Sequence, residues 1–207
     1  MKTKIYLIRH GESIGNAKKQ YLGHTDLGLS ELGHRQAEAT ARALADVTID
    51  AVYSSDLIRA VSTARPHAEL RGLEVVTSVG LREIYIGDWE GLYVDDIIER
   101  YGDMFTVDWL ENFGTFRTPG GEIVAEAGER FYATVEEICR REQGKTLLIA
   151  AHAAVIRAFW AKVCDIAPED VARKLDFPKN ASYSELEYED GRFTAIRYSV
   201  ASHFDMA

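Results

Sequence analysis

The 207-residue sequence has few cysteines, no long hydrophobic run and fewer basic than acidic residues. Its two cysteines, Cys139 and Cys164, show no disulfide or metal-ligand spacing, so we expect a reduced, cytoplasmic protein. The N-terminal apolar run is far too short for a signal peptide or a membrane span, and no membrane partner is expected. A net charge of −9, from 24 lysines and arginines against 33 aspartates and glutamates, argues against a nucleic-acid partner.

The composition is that of an ordinary globular protein, with 46% hydrophobic and 28% charged residues. No linker, internal repeat or low-complexity tract divides the chain, and its length suits one sizeable core. The sequence therefore predicts a single domain over residues 1–207, and both a monomer and a homodimer stay open.

Predicted strands and helices alternate along the chain. Strands are predicted over residues 4–9, 50–54, 74–77 and 146–151, and helices over residues 30–45, from 56 onward, 124–139 and 153–163. Residues 84–120 are irregular and rich in aromatic residues, with glycine and proline between them, and we expect them to form a cap inserted over the sheet edge. The alternation predicts an α/β fold whose sheet is covered by helices on both faces.

Two histidines directly follow the two most apolar predicted strands. His10 follows strand 4–9, and His152 follows strand 146–151. Ligand crevices in open α/β sheets lie at the carboxyl ends of strands, so we expect both imidazoles in one crevice. Arg9 and Arg59 are expected beside them, Arg59 from a third strand-to-helix junction. Such a cluster suits a phosphate dianion, because guanidinium groups bind phosphate oxygens in a bidentate manner.

The same residues suggest a reaction. A neutral imidazole can attack phosphorus in line, and the ordinary pKa of histidine leaves part of the His10 population neutral at physiological pH. Glu83 can supply a proton to the departing oxygen. We therefore expect metal-free hydrolysis of a phosphate monoester through a phosphohistidine. A metal-dependent hydrolase built on His10, Glu12 and His152 lacks a pattern for a second carboxylate ligand.

Five motifs follow one another along the chain. They are Arg9-His10-Gly11-Glu12-Ser13 with Asn16, Ser55-Asp56-Leu57 with Arg59-Ala60 and Thr63-Ala64, Glu83, Gly87-Asp88-Trp89-Glu90-Gly91, and Ala151-His152. From residue 4 to about 157 the chain resembles the histidine phosphatase superfamily, in its phosphoglycerate-mutase-like branch. The resemblance implies a three-layer α/β/α sandwich with a mostly parallel sheet, a small helical cap, and neither cofactor nor metal. It also implies phosphorylation of His10, proton donation by Glu83, and phosphate binding by Arg9, Arg59, His152 and Asn16.

Two features bear on the substrate. Ala153-Ala154 follow His152 where the family usually has two glycines. Alanine keeps the backbone N–H, so Ala153 is expected to bind substrate together with Asn16 and Gly23, in a narrower pocket. The motif at residues 87–91 resembles the phosphatase branch rather than the mutases. A phosphatase acting on a small phosphorylated metabolite is therefore predicted; the alternatives are a cofactor-dependent phosphoglycerate mutase and a non-catalytic phosphate-binding protein of the same fold.

Several other residues are predicted to be structural. Arg157 is predicted to be an ion-pair partner, and Glu122 and Arg130 are predicted to be framework residues of the long helix. Four histidines lie outside the motifs and are predicted to be surface or packing residues: His24, His34, His67 and His203. His24 can also reach the cleft, because it lies in the loop after Asn16. Six aromatic residues are predicted to form mainly the core of the cap, with one or two facing substrate: Trp89, Tyr93, Phe105, Trp109, Phe113 and Phe116.

Overall fold

The computed structural model describes residues 1–204, so the last three residues of the predicted domain 1–207 lie outside the described residues. The strands are β1 (Thr3–Arg9), β2 (Ala51–Ser55), β3 (Val75–Ser78), β4 (Thr146–Ala151), β5 (Tyr183–Glu189) and β6 (Arg192–Val200). They form one sheet in the order β3-β2-β4-β1-β5-β6. The four strands β1 to β4 pair in parallel, whereas β5 pairs antiparallel with both β1 and β6.

The helices lie between the strands. They are α1 (Ile14–Ala17), α2 (Glu31–Ala43), α3 (Ile58–Glu69), α4 (Val94–Tyr101), α5 (Val124–Arg141), α6 (Ala153–Val163) and α7 (Val171–Lys174). Ser30 caps α2, because its hydroxyl accepts the N–H of Gly33 at 3.0 Å. Within the described residues, none of these helices combines the length and apolar character needed to cross a membrane.

Apolar side chains cover both faces of the sheet. Along β4, Leu147 and Ile149 belong to a core that also contains residues of α5 and α6, such as Phe131 and Phe159. Leu148, which points to the opposite face, belongs to a second core that also contains α3 residues. Successive side chains of a strand point to opposite faces, so a continuous apolar run serves both cores. The predicted α/β fold with a mostly parallel sheet between helical layers is confirmed.

The β5–β6 hairpin at the end of the chain is absent from the sequence prediction. Its turn is Asp190-Gly191, with φ of 52° and 81°, and this dipeptide is a strong hairpin signal. Alternate residues of β5, Ser184, Leu186 and Tyr188, are buried, as expected for a strand with one face on the core. Because β5 lies beside β1, the residues that precede β5 lie next to His10.

Residues 84–120 contain α4 and a six-residue π-helical segment, Met104–Trp109. Trp89 is completely buried there, and its ring centroid lies 5.4 Å from that of Phe105 and 5.8 Å from that of Trp109. Phe113 is also buried, whereas Tyr93 is 46% exposed. Most of the predicted cap aromatics are thus core residues. The division of the chain into one domain with this segment as its cap stays a prediction.

Candidate active site

Residues that follow the four parallel strands line one cavity of about 330 Å³. Arg9 is the last residue of β1 and His10 follows it, Arg59 follows β2, Glu83 follows β3, and Ala153 follows β4. Asn16 and Gly23 lie in the same lining. The His152 ring lies against that of His10, edge to face, with 5.2 Å between the ring centroids. The structure therefore brings together all the residues that the sequence assigned to the site.

His10 is fixed from several sides. Its backbone N–H donates to the Ala151 carbonyl at 2.9 Å, and the N–H of Gly11 donates to the Thr63 hydroxyl at 3.0 Å. Its ring Nδ1 lies 2.7 Å from the Gly11 carbonyl oxygen. A carbonyl oxygen can only accept, so Nδ1 carries the hydrogen of this bond and Nε2 of the neutral ring keeps its lone pair. The bond thus orients the ring and selects its tautomer.

Burial and positive neighbours keep both site histidines neutral. Burial lowers the pKa of His10 well below its ordinary value, and the Arg59 and Arg9 guanidinium groups lower it further. The pKa of His152 is lowered in the same way, by burial first and then by Arg59 and His10. Among the described residues, neither ring nitrogen of His152 has a hydrogen-bond partner. Neutral imidazoles can act as a nucleophile and as a hydrogen-bond donor to an anion.

Two guanidinium groups supply the positive charge of the cavity. Arg59 is 2% exposed and donates to the carbonyl oxygens of Gly23 at 2.7 Å and Thr25 at 2.8 Å. Arg9 donates to the Pro178 carbonyl at 2.6 Å, and burial lowers its pKa to about 10. Both therefore remain charged at physiological pH, and their backbone acceptors hold them in place without neutralising them. This arrangement favours a bound dianion.

Glu83 reaches the N-terminus of α6. Its Oε2 accepts the N–H of Ala154 at 3.0 Å, and its Oε1 accepts those of Val155 at 3.1 Å and Ile84 at 3.0 Å. Two N–H groups of the α6 N-terminus, those of Ala154 and Val155, thus bind this carboxylate. A carboxylate oxygen has two lone-pair positions, so Oε2 keeps one that can hold a proton.

The predicted substrate-binding residues differ in how the structure holds them. The Asn16 side-chain oxygen accepts the Ser13 N–H at 3.1 Å, which closes a capping box on α1. Gly23 has a φ of 49°, and a Cβ there would lie 2.0 Å from Glu90 Oε1. Ala153 is the first residue of α6. Gly23 therefore has a conformational reason to be glycine, because both the backbone and the space exclude a side chain.

The rest of the cavity lining has mixed polarity. Of the six predicted cap aromatics, Trp109 lines the cavity. The lining also contains the apolar residues Leu22, Ile84, Ile86, Val94 and Phe177 and the polar residues Lys19, Gln20 and Tyr21. A small leaving group would meet these residues once its phosphate binds at the arginines.

Two residues with a role at the site were missed by sequence reasoning. Asn180 donates its side-chain N–H to the His10 carbonyl at 3.1 Å and to Asn16 Oδ1 at 3.2 Å. Glu90 accepts the backbone N–H groups of His24 at 2.8 Å and Thr25 at 2.7 Å, and so holds the loop to which Arg59 donates. The carboxylate between Trp89 and Gly91 was visible in the sequence, but no local pattern identifies its distant partners.

Arg157 corrects one prediction. Its guanidinium donates to the backbone carbonyl oxygens of Leu175 at 2.6 Å and Val171 at 3.2 Å. It also lies 4.4 Å from the ring centroid of Phe113 and 4.2 Å from that of Phe177. It has no carboxylate partner within residues 1–204. Arg157 is structural as predicted, but the predicted ion pair is wrong.

Among the described residues, none of the four remaining histidines lines the cavity. His34 is exposed, His67 is completely buried, and His203 lies 3.0 Å from the Thr40 hydroxyl. His24 approaches the site most closely, because its Nε2 lies 2.8 Å from the Glu83 carbonyl oxygen. Within the described residues, no group of three or more His, Cys, Asp or Glu side chains is placed to hold a metal ion. The predicted independence of metal stays a prediction.

Known proteins similar to this chain include both phosphatases and mutases. Phosphoserine phosphatase 1 of Hydrogenobacter thermophilus is 32% identical over 202 residues, which is 97% of this chain and 94% of that protein. The probable phosphoglycerate mutase GpmB of Yersinia pestis is 28% identical and covers 99% of this chain and 94% of its own. The structure of mycobacterial glucosyl-3-phosphoglycerate phosphatase in complex with VO3 matches with a TM-score of 0.88 and 28% identity, covering 96% of this chain and 99% of its own.

A sequence model of the histidine phosphatase superfamily (branch 1) matches residues 5–201. This range extends beyond the five motifs and includes the β5–β6 hairpin. The match spans almost the whole chain, and the resemblance read from the motifs is therefore confirmed. This protein belongs to the histidine phosphatase superfamily and is an enzyme of the phosphomonoesterase class.

Proposed function

We propose that this enzyme hydrolyses phosphate monoesters of small metabolites without a metal, through a phosphohistidine on His10 and with Glu83 as proton donor. The observation that carries the proposal is the 2.7 Å contact between His10 Nδ1 and the Gly11 carbonyl oxygen. It leaves the lone pair on Nε2 and orients the ring. Burial and the two arginines lower the pKa of His10, so the nucleophilic neutral form predominates at physiological pH.

In the first step, the Nε2 lone pair of His10 forms a bond to phosphorus, and the bond from phosphorus to the leaving oxygen breaks. The charge on the equatorial oxygens is balanced by Arg9 and Arg59, while His152 donates a hydrogen bond from beside the nucleophile. Glu83 gives its proton, from Oε2, to the departing oxygen. The guanidinium groups supply the charge stabilisation that a metal ion supplies in other phosphatases.

In the second step, water attacks the phosphohistidine. The Glu83 carboxylate accepts a proton from that water, the bond between phosphorus and Nε2 breaks, and inorganic phosphate leaves. His10 returns to its neutral form, and Glu83 is again protonated for the next turnover. One residue thus acts as acid and then as base, which needs a carboxyl group held in one position throughout.

A small leaving group is supported by the cavity and by the relatives. A volume of about 330 Å³ lies at the lower end of the range for small-molecule sites. A phosphoserine phosphatase and a glucosyl-3-phosphoglycerate phosphatase are among the similar proteins. Because a probable phosphoglycerate mutase is also similar, phosphoryl transfer back to substrate is the second candidate function.

The test is a panel of phosphate monoesters, with phosphoserine, 3-phosphoglycerate and several sugar phosphates, assayed for inorganic phosphate after exhaustive chelation. A His34→Ala variant, which alters an exposed histidine, serves as a control with unchanged activity. We expect full phosphate release after chelation. Loss of activity that a divalent metal restores would contradict the metal-free mechanism. Faster formation of 2-phosphoglycerate than of inorganic phosphate, with 2,3-bisphosphoglycerate present, would establish the mutase instead.

A further inference from the structure

Arg130 on α5 forms hydrogen bonds to the backbone around Glu83. Its Nη1 donates to the carbonyl oxygens of Gly80 at 3.1 Å and Arg82 at 3.0 Å, and its Nη2 donates to the Glu83 carbonyl at 3.1 Å. One guanidinium thus binds three carbonyl groups within four consecutive residues. The segment that it binds has no regular secondary structure after Leu81.

Glu122 contacts both Arg130 and the same backbone segment. Its carboxylate pairs with the Arg130 guanidinium, with Oε2 3.1 Å from Nη2, and also accepts the Tyr85 N–H at 2.8 Å. The Glu122 N–H in turn donates to the Tyr85 carbonyl at 2.8 Å. His24 Nε2 also contacts the Glu83 carbonyl oxygen, at 2.8 Å. The backbone of residues 80–85 is therefore held by side chains from α5 and from two loops.

The Glu83 side chain is held separately, by the N–H groups at the start of α6. We infer that Arg130, with Glu122 as its partner, is a positioning residue that fixes where Glu83 presents its proton to the leaving group. This inference rests on the proposed function, because it needs Glu83 to be the proton donor. Arg130 does not line the cavity, so it acts through Glu83 and not on substrate.

The geometry makes displacement of Glu83, rather than unfolding, the consequence of losing Arg130. Leu81 and Ile84, on either side of Glu83, are 0% and 2% exposed and anchor the segment in the core. Without the guanidinium, the carbonyl groups between these anchors lose their shared donor and the backbone can shift. General acid catalysis contributes about 10²- to 10⁴-fold, and a misplacement of about 1 Å can cost about 10²-fold.

The test compares Arg130→Gln with wild type on two substrates that differ in their need for an acid. p-Nitrophenolate leaves almost without protonation, whereas the alkoxide of glycerol phosphate needs a proton. We expect kcat on glycerol phosphate to fall about 10²-fold, with a loss of at most a few-fold on p-nitrophenyl phosphate. KM for both substrates should change little, because Arg9 and Arg59 bind the phosphate. Arg130→Lys should recover part of the lost rate.

Arg117→Gln is the matched control, because Arg117 also combines a hydrogen bond to a backbone carbonyl, that of Gly121, with an ion pair to one carboxylate, that of Glu126. It should show no selectivity between the two substrates. In a Glu83→Gln background, Arg130→Gln should have no further effect on glycerol phosphate. Equal losses on both substrates, the same selectivity in Arg117→Gln, or a full additional loss in the Glu83→Gln background would overturn the inference.

Two further results keep this test separate from that of the proposed function. If Arg130→Gln fails to fold, Glu122→Gln removes only the charged partner, and a smaller loss with the same leaving-group selectivity is expected; no selectivity would count against the inference. Suppose that Arg130→Gln forms phospho-His10 from p-nitrophenyl phosphate at the wild-type rate but shows no selectivity between the two substrates. This result would refute the role of Arg130 and leave the proposed function standing. A wild-type enzyme without any phosphohistidine would instead refute the proposed function.

Discussion

His67 offers a quantitative test of how burial controls the histidines of this protein. It lies on α3, is completely buried, and neither of its ring nitrogens has a hydrogen-bond partner among residues 1–204. Burial, with the positive charge of Arg71 and the neighbouring His203, lowers its pKa to about 3. His67 does not line the cavity, so replacing it with phenylalanine changes this property without touching the proposed chemistry.

The sign follows from proton binding. The unfolded chain protonates His67 below its ordinary pKa of about 6.5, whereas the folded chain does not do so until about pH 3. The free energy of unfolding is therefore insensitive to this group above about pH 6.5 and decreases as the pH falls below it. The loss from one such histidine is about 1.4 kcal/mol at pH 5.5 and about 2.7 kcal/mol at pH 4.5. His10 and His152, whose pKa values are also lowered, add to the loss in wild type.

The assay is urea unfolding of wild type and His67→Phe between pH 7.5 and 4.5. We compare the free energy of unfolding of the variant with that of wild type. Relative to pH 7.5, this difference should shift in favour of the variant by about 1.4 kcal/mol at pH 5.5 and about 2.7 kcal/mol at pH 4.5. Comparing pH dependence removes any constant cost of fitting the larger ring. A His34→Gln control, which changes an exposed histidine, should follow wild type. Parallel pH profiles for wild type and His67→Phe would show that burial does not suppress protonation of His67.

Three further changes have expected outcomes. Glu83→Gln should lower kcat on an alkyl phosphate by about 10²- to 10⁴-fold and on p-nitrophenyl phosphate far less, and equal losses would remove Glu83 from the acid role. Gly23→Ala, with φ of 49° and a Cβ 2.0 Å from Glu90 Oε1, should shift the acceptor loop of Arg59 and lower kcat/KM roughly tenfold or more; a wild-type value would show that the loop absorbs the methyl. Arg157→Met should lose about 2–3 kcal/mol in urea unfolding, because its guanidinium binds three backbone carbonyls, and an unchanged midpoint would contradict that account.

The parts of the fold that local pattern specifies were predicted well. The apolar run at residues 146–151 coincides with β4, and the predicted strand 4–9 differs from β1 by one residue. A fully apolar run followed at once by histidine marks the carboxyl end of a buried strand, and that end is where the structure brings His10 and His152 together. Local sequence was sufficient here because burial on both faces leaves a continuous signal.

The contacts that hold the site could not be predicted in the same way. Arg130 is 47 residues from Glu83 in sequence, and its acceptors are backbone carbonyl groups. Every residue has such a group, so the residue types do not identify which ones Arg130 binds. The two N–H groups by which Glu90 holds the Arg59 acceptor loop, those of His24 and Thr25, are likewise backbone groups more than 60 residues away. The β5–β6 hairpin could have been predicted, because its alternating buried residues and its Asp190-Gly191 turn are local sequence signals.

In the proposed mechanism, His10 carries the phosphoryl group during turnover. The most direct measurement is a rapid acid-free quench of enzyme with ³²P-labelled substrate, followed by mapping of the labelled residue, with His34→Ala as the control variant. We expect an acid-labile label on His10 in wild type and in His34→Ala, and no labelled enzyme in His10→Ala. A label that persists in His10→Ala, or that maps to another residue in wild type, would contradict the proposed mechanism.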